Sequence, residues 1–368
     1  MTPFRLMSAF AGLAVAITVG VCAPAAWSAE DDDGFVPLFN GRDLTGWVNV
    51  NGAPGTFFVK DNTLITTGEP ISFLRTEKPY ENFILELEWM HVNTHEVGNS
   101  GVFIWGDPLP VVGSPFTRGI EVQVLVNLEY KDQATGAVTA TSHGDVFAIQ
   151  GATCKPDRPH PKGAMRCLPS EYRAKGGGEW NHYKIIANDG AIKLHVNGQE
   201  VSGVSECIPR KGYLALEAEG AECHFRNIRI KELPSSNPKP EQVANIWQGH
   251  QSLFTGLDLS GWKTDDHAWT VAGGRLKSNG QADLVSAAKF GACEVFFDWR
   301  LPPQAKETIP VSIGTATVHL SADLATKPGT WQRTTIKVEN ASHPSPLVFR
   351  PAAGLELMNI FIRELKRE

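Results

Sequence analysis

"FILELEWMH", residues 83–91, places Phe83, Leu85, Leu87 and Trp89 on one side of an extended chain and Glu86 and Glu88 on the other. A period of two is the mark of a strand with one buried face; a helix needs apolar residues three and four apart. "GIEVQVLV" (119–126) repeats the pattern, with Ile120, Val122, Val124 and Val126 opposite Glu121 and Gln123. "AIKLHVNGQEV" (191–201) carries Asn197-Gly198 between two such runs, the turn chemistry of a hairpin. Gly and Asn turns recur along the chain and no amphipathic helix competes. The expected class is all-β, built as β-sandwiches.

The chain also repeats itself. "PLFNGRDLTGW" (37–47) returns as "SLFTGLDLSGW" (252–262), and "NIRIKEL" (227–233) as "NIFIREL" (359–365). "EWNHYKI" (179–185) has a fainter echo in "TWQRTTIKV" (330–338). Matches in one order predict two copies of one fold in tandem, at 34–233 and 250–366, joined by a linker over 234–249 whose start is "PSSNPKPEQ". The copies differ in length. Trp89 to Trp180 spans 91 residues, whereas Trp299 to Trp331 spans 32, so the second copy is 59 residues shorter. The shortfall falls on "GNSG", "GIEVQVLV" and "SHGDVFAIQGA". A fold that closes without these segments suggests that they serve a site, and the second domain is expected to bind polysaccharide or to pack against the first domain's groove.

Composition narrows the class of function. In 368 residues, 42% are apolar and 20% charged, with a net charge of −6. That balance fits a globular chain and argues against phosphate neutralisation, so no nucleic-acid partner is expected. Arg5, the apolar run 13–21 and the small residues of "CAPAAWSAEDDD" read as a secretory signal peptide over 1–29, which places the protein outside the cytoplasm, secreted or periplasmic. No other stretch is apolar enough to span a membrane. Export permits disulfides among Cys154, Cys167, Cys207, Cys223 and Cys293, yet five reduced, buried thiols fit equally well. Nothing in the sequence fixes an oligomeric state.

Residues 34–233 resemble the 3-keto-disaccharide hydrolase domain family, a concanavalin-like sandwich of secreted bacterial proteins. The resemblance rests on "PLFNGRDLTGW", "FLRTEKPYENFILELEW", "GNSGVFI", "GIEVQVL", "HGDVFAIQGA", "EWNHYKI" and "FRNIRIKEL" in order. It implies a carbohydrate substrate and a glycoside-cleaving hydrolase acting on sugars oxidised at C3. The ketone acidifies the C2 hydrogen and sits β to the glycosidic oxygen, so such a site needs a base, an acid and a stabiliser for the enolate oxygen. Glu121 is the first candidate base, and His143 in "HGD" the second acid/base group, its ring oriented by Asp145. Glu88 is expected to face the same groove as a third catalytic candidate. Arg75 is the candidate ligand of the ketone oxygen, with Asn99, Ser100 and Gln123 for sugar hydroxyls and Trp105 as a stacking platform. Trp180 reads as core, because Trp331 matches it.

No cofactor is expected, although His91, His95 and Glu96 leave room for a divalent cation. Two alternatives stay open. One is a conventional glycosidase using Glu88 and Glu121 as its carboxylate pair; the other is a non-catalytic carbohydrate-binding module.

Overall fold

The computed structural model describes residues 33–126, 144–324 and 327–365, together with the backbone of 130–131 and 138–140. The signal-peptide reading and His143 lie outside the described residues. Phe35–Glu368 forms one compact unit. It is all-β: two sandwiches in tandem, with every strand pair antiparallel, plus a short ribbon of Tyr130–Lys131 with Val138–Ala140. Among the described residues no helix is long and apolar enough to cross a membrane.

The first sandwich packs a nine-stranded sheet on a seven-stranded one. In the larger sheet Phe83–His91 lies between Asn181–Asn188 and Cys223–Glu232, and its strict alternation of burial matches the sequence pattern. The smaller sheet runs Arg166–Cys167, Val146–Ile149, Gly119–Val126, Gly98–Gly106, Tyr213–Ala218, Ser72–Thr76, Trp47–Val50. Leu85, Leu87 and Trp89 from one sheet meet Val102, Val122 and Leu216 from the other in a single core. Burying such side chains is worth about 1.5–3 kcal/mol each, which fixes the strand register against a one-residue slip.

The second sandwich has sheets of six and five strands. Its five-stranded sheet runs Trp262–Lys263, Leu284–Ser286, Leu347–Phe349, Ile309–Ile313, Ala316–Leu320. That order matches the first copy's Trp47–Val50, Ser72–Thr76, Tyr213–Ala218, Gly98–Gly106 and Gly119–Val126. The repeated motif has a physical cause: the Trp47 indole N–H donates to the Leu38 carbonyl at 3.1 Å, and Trp262 makes the same bond to Leu253 at 3.1 Å. Asn227 and Asn359, the first residues of the second repeated motif, both take positive φ at a register shift. The length difference is therefore distributed otherwise than the sequence spacing suggests. The second copy keeps a shortened hairpin, Ile309–Ile313 with Ala316–Leu320, where the first has Gly98–Gly106 and Gly119–Val126. It has no counterparts of Val146–Ile149, Thr153–Pro156, Ala191–Val196 or Gln199–Ile208 among the described residues.

The outer face of the seven-stranded sheet is divided. Val50, Phe73, Phe103 and Ala215 form an apolar half, against which Phe296 and Phe361 of the second sandwich pack. Polar anchors surround this contact. Asp298, fully buried, accepts from the Gly113 amide at 2.9 Å and pairs with Arg333 at 2.7 Å. Asn359 donates to the Ser114 carbonyl at 2.9 Å and accepts from Asn51 at 2.6 Å. The other half of the same face carries carboxylates.

Candidate active site

Three neighbouring strands build the polar half. Glu121 and Gln123 come from Gly119–Val126, Asn99 and Gly101 from Gly98–Gly106, and Glu217 from Tyr213–Ala218 with Glu219 just beyond its end. Pairing sets Gln123 opposite Gly101 and Glu121 opposite Phe103. Residues paired across an antiparallel ladder share a face, so these side chains converge. Gly101 makes the approach possible: a Cβ there would lie 2.8 Å from Glu217 Oε2 and 2.9 Å from Glu121 Oε1. The two carboxyl groups meet over a strand that presents no side chain between them.

Hydrogen bonds order the group. Gln123 Nε2 donates to Asn99 Oδ1 at 2.7 Å, and Asn99 Nδ2 donates in turn to Glu219 Oε2. Beside Glu121 in the sheet, Phe147 carries the Arg166 guanidinium 3.6 Å above its ring, and Arg166 pairs with buried Asp145 at 2.9 Å. Glu121 is only 7% exposed and Glu217 1%, whereas Glu219 stands partly open to solvent.

Burial dominates the electrostatics. Desolvation lifts Glu121 well above the usual carboxylate range; the charge of Glu219 adds to this, Arg166 opposes it, and Asp145 adds a little more. Glu217 is raised in the same way, by burial and then by Glu219 and Glu121. Glu219 is pushed up to about 7 by burial, against a hydrogen bond from Glu217 that favours its anion. Three carboxyls in one desolvated patch cannot all ionise. The innermost pair holds protons, and Glu219, at the mouth, changes charge near neutrality. A protonated acid beside a group poised near pH 7 is the pairing that proton-transfer chemistry requires.

The model for the 3-keto-alpha-glucoside-1,2-lyase-like domain matches residues 34–231, just over half of the chain and all the strands that carry this group. The chain belongs to this family. A 3-keto-disaccharide hydrolase from Bacteroides thetaiotaomicron is 22% identical over 255 residues, covering 55% of this chain and 80% of that protein. A crystal structure from Parabacteroides distasonis, provisionally assigned as a glycosyl hydrolase, is 23% identical with a TM-score of 0.41, covering 55% of this chain and 94% of that one. The carbohydrate-binding module CBM66 from Bacillus subtilis is 14% identical with a TM-score of 0.37, covering 51% and 96%.

Within the family domain the structure brings together Glu121, Gln123, Asn99 and Asp145. It sends four other expected residues elsewhere. Glu88 lies in the opposite sheet, paired with Arg226 at 2.5 Å, so it shares no groove with Glu121 and the two cannot act as a glycosidase pair. Ser100 has the parity of Val102 and faces the core, donating to the Glu217 carbonyl at 2.8 Å. Trp105 takes a left-handed φ of 57°, which turns its ring into the core, where its N–H meets the Glu81 carbonyl at 2.7 Å. Arg75 is fully buried, stacked between Tyr213 at 4.7 Å and Trp247 of the linker at 4.6 Å, and donates to the Pro108 carbonyl at 2.9 Å. Arg166 is the cation beside the carboxyls instead. Trp180, expected in the core, is half-buried under Arg226 at 3.9 Å.

The polar bend after Phe83–His91 is turn chemistry. Asn93 Oδ1 accepts from the amides of His95 and Glu96 at 2.8 and 3.0 Å, and both side chains point to solvent. His91 is buried with its ring nitrogens 3.2 and 3.1 Å from the carbonyls of Glu222 and Val124. These residues do not fit a divalent cation, and among the described residues no three His, Cys, Asp or Glu side chains are grouped to hold one. All five described cysteines are free and buried.

Sequence reasoning missed Glu217, Glu219 and Arg166. The first two were signalled by "YLALEAEGAE" (213–222), where Leu214, Leu216 and Ala218 alternate with Ala215, Glu217 and Glu219. Arg166 had no local signal; a two-residue strand at the sheet edge delivers it.

Proposed function

We propose that this protein cleaves glycosides oxidised at C3 by elimination followed by hydration, with the carboxyl group on the outer face of the first sandwich as its acid–base machinery. The observation that carries this reading is the convergence of Glu121 and Glu217 over Gly101, with Glu219 held beside them by Asn99 and poised at about 7 inside the family domain. In the first step a carboxylate takes the C2 proton. The C2–H electron pair forms the C1=C2 bond, and the C1–O pair leaves with the departing oxygen, which takes a proton from a neutral carboxyl. Water then adds across the enone, hydroxyl to C1 and proton to C2, so the sum is hydrolysis.

Glu219 suits the role of base, because it is both accessible and anionic above about pH 7, and Asn99 fixes its orientation. Glu121, read from sequence as the base, is held neutral by burial and suits the proton donor. Arg166 is the cation whose charge acts on Glu121, and it suits the enolate oxygen. General acid–base groups of this kind contribute about 10²–10⁴ in rate. The test is to offer purified protein a disaccharide and its C3-oxidised counterpart in deuterated water. The reading expects release of the aglycone and deuterium at C2 from the oxidised sugar only. Cleavage of the unoxidised sugar at a similar rate, or binding of the oxidised one without exchange, would overturn it.

A further inference from the structure

The second sandwich packs on the apolar half of the face that carries the carboxyl group, and a cavity of about 230 Å³ lies between the two sandwiches. Asn51, Ile71 and Phe116 of the first copy and Arg275 and Met358 of the second line it. We propose that this cavity is a second carbohydrate subsite, which holds the sugar on the far side of the cleaved bond. The proposal rests on the glycoside-cleaving reading above and assigns that site its substrate length.

Position is the first argument. Ser72 pairs with Ala218 at the end of that ladder, so Ile71, just before the one, and Glu219, just after the other, leave the sheet at the same end. The two paired residues are themselves about 5 Å apart. A glycoside whose C1 and C2 lie at Glu219 therefore reaches the cavity within one sugar ring.

Chemistry is the second. A pyranose presents apolar C–H faces and a rim of hydroxyls. Ile71, Phe116 and Met358 offer apolar wall, and exposed Arg275 offers donors at the rim. Asn51 is 8% exposed; its amide N–H is committed to Asn359, while its Oδ1 has no hydrogen-bond partner. One neutral ring matches the volume and this lining better than an extended chain or an anion. The subsite also accounts for the second sandwich, which closes a cleft that the family domain alone leaves open.

The test compares two substrates and two variants. Ile71→Trp fills the mouth at a side chain 42% exposed, and Arg275→Ala trims an exposed rim residue; neither belongs to the carboxyl group. Each is assayed on a 3-keto disaccharide and on the corresponding methyl 3-keto glycoside, which has no second ring. Ile71→Trp is expected to lower kcat/KM on the disaccharide by at least about tenfold and to leave the methyl glycoside within about twofold. Arg275→Ala is expected to act in the same sense, more weakly, and serves alone should Ile71→Trp fail to fold. Equal losses on both substrates, or no loss on either, would overturn the subsite. If the wild-type protein turns over neither substrate, the hydrolytic reading fails and calorimetric titration with the unoxidised disaccharide decides the subsite. Binding that Ile71→Trp weakens about tenfold supports it, and binding that is absent or unaltered sinks it.

Discussion

Replacing Glu219 with Gln removes a carboxyl that titrates at about 7 where an ordinary glutamate titrates at 4.5. The difference corresponds to roughly 3 kcal/mol of preference for the neutral form in the folded protein. The sign follows from the direction. A raised folded pKa means that the folded state holds the proton more tightly than the unfolded chain. The stability this group contributes is full below pH 4.5 and is lost as pH rises through about 7. Glu219→Gln does not titrate, so subtracting its stability curve from that of the wild type cancels the groups the two proteins share. Urea unfolding of both proteins at about pH 5 and about pH 8.5 gives the two differences. The wild type should lose up to about 3 kcal/mol more than the variant across that interval. Since Glu121 and Glu217 are coupled to the same charge, the variant should also relieve them at the alkaline end, which acts in the same direction. Parallel curves for the two proteins would show that the fold does not hold this carboxyl neutral, and the acid–base assignment would go with it.

Glu121→Gln should preserve folding and sugar binding and reduce aglycone release by about 10²–10⁴ while leaving C2 deuterium exchange in place, which separates proton donor from base. Gly101→Ala should push Glu121 and Glu217 apart, with a loss of about 1–3 kcal/mol by thermal melting and a fall in kcat at unchanged KM. Arg75→Leu should cost about 2 kcal/mol of stability, from lost bonds to the Pro108 and Thr76 carbonyls, yet shift KM for a 3-keto glycoside by less than about twofold; a large KM effect would restore Arg75 as a substrate ligand. A chain of residues 243–368 alone should show no turnover, because no carboxyl group of this kind exists among the described residues of its sheets.

Alternation made the strand faces legible. The Phe83–His91 pattern reappears residue for residue in the burial of that strand. The repeated Trp47 and Trp262 motifs were legible for an equally local reason, a bond that spans nine residues in each copy. Asn99 and Ser100 show what the same rule says about sites: adjacent residues of a strand cannot share a face, so at most one of them belongs to the groove. Trp105 escaped the rule because a left-handed residue at a register shift reverses the parity that Phe103 sets. Glu88 and Arg75 were misread for non-local reasons. Which sheet receives a strand, and that Trp247 of the linker folds back over Arg75, are decided by residues more than a hundred positions away.

The divided outer face has a consequence for biogenesis. The first sandwich has all its strands once Glu232 is made, but Phe73, Phe103 and Val50 stay uncovered until Phe296 and Phe361 have been synthesised and folded. At about 5–20 residues per second the remaining stretch takes roughly 7–27 s to appear. Through that interval a nascent chain shows an apolar patch next to a sheet face, the kind of surface on which neighbouring chains associate. The yield of soluble protein should therefore respond to the rate of translation across the linker, and more steeply to Phe296→Ala, which weakens the late cover, than to an equally destabilising change inside the first core.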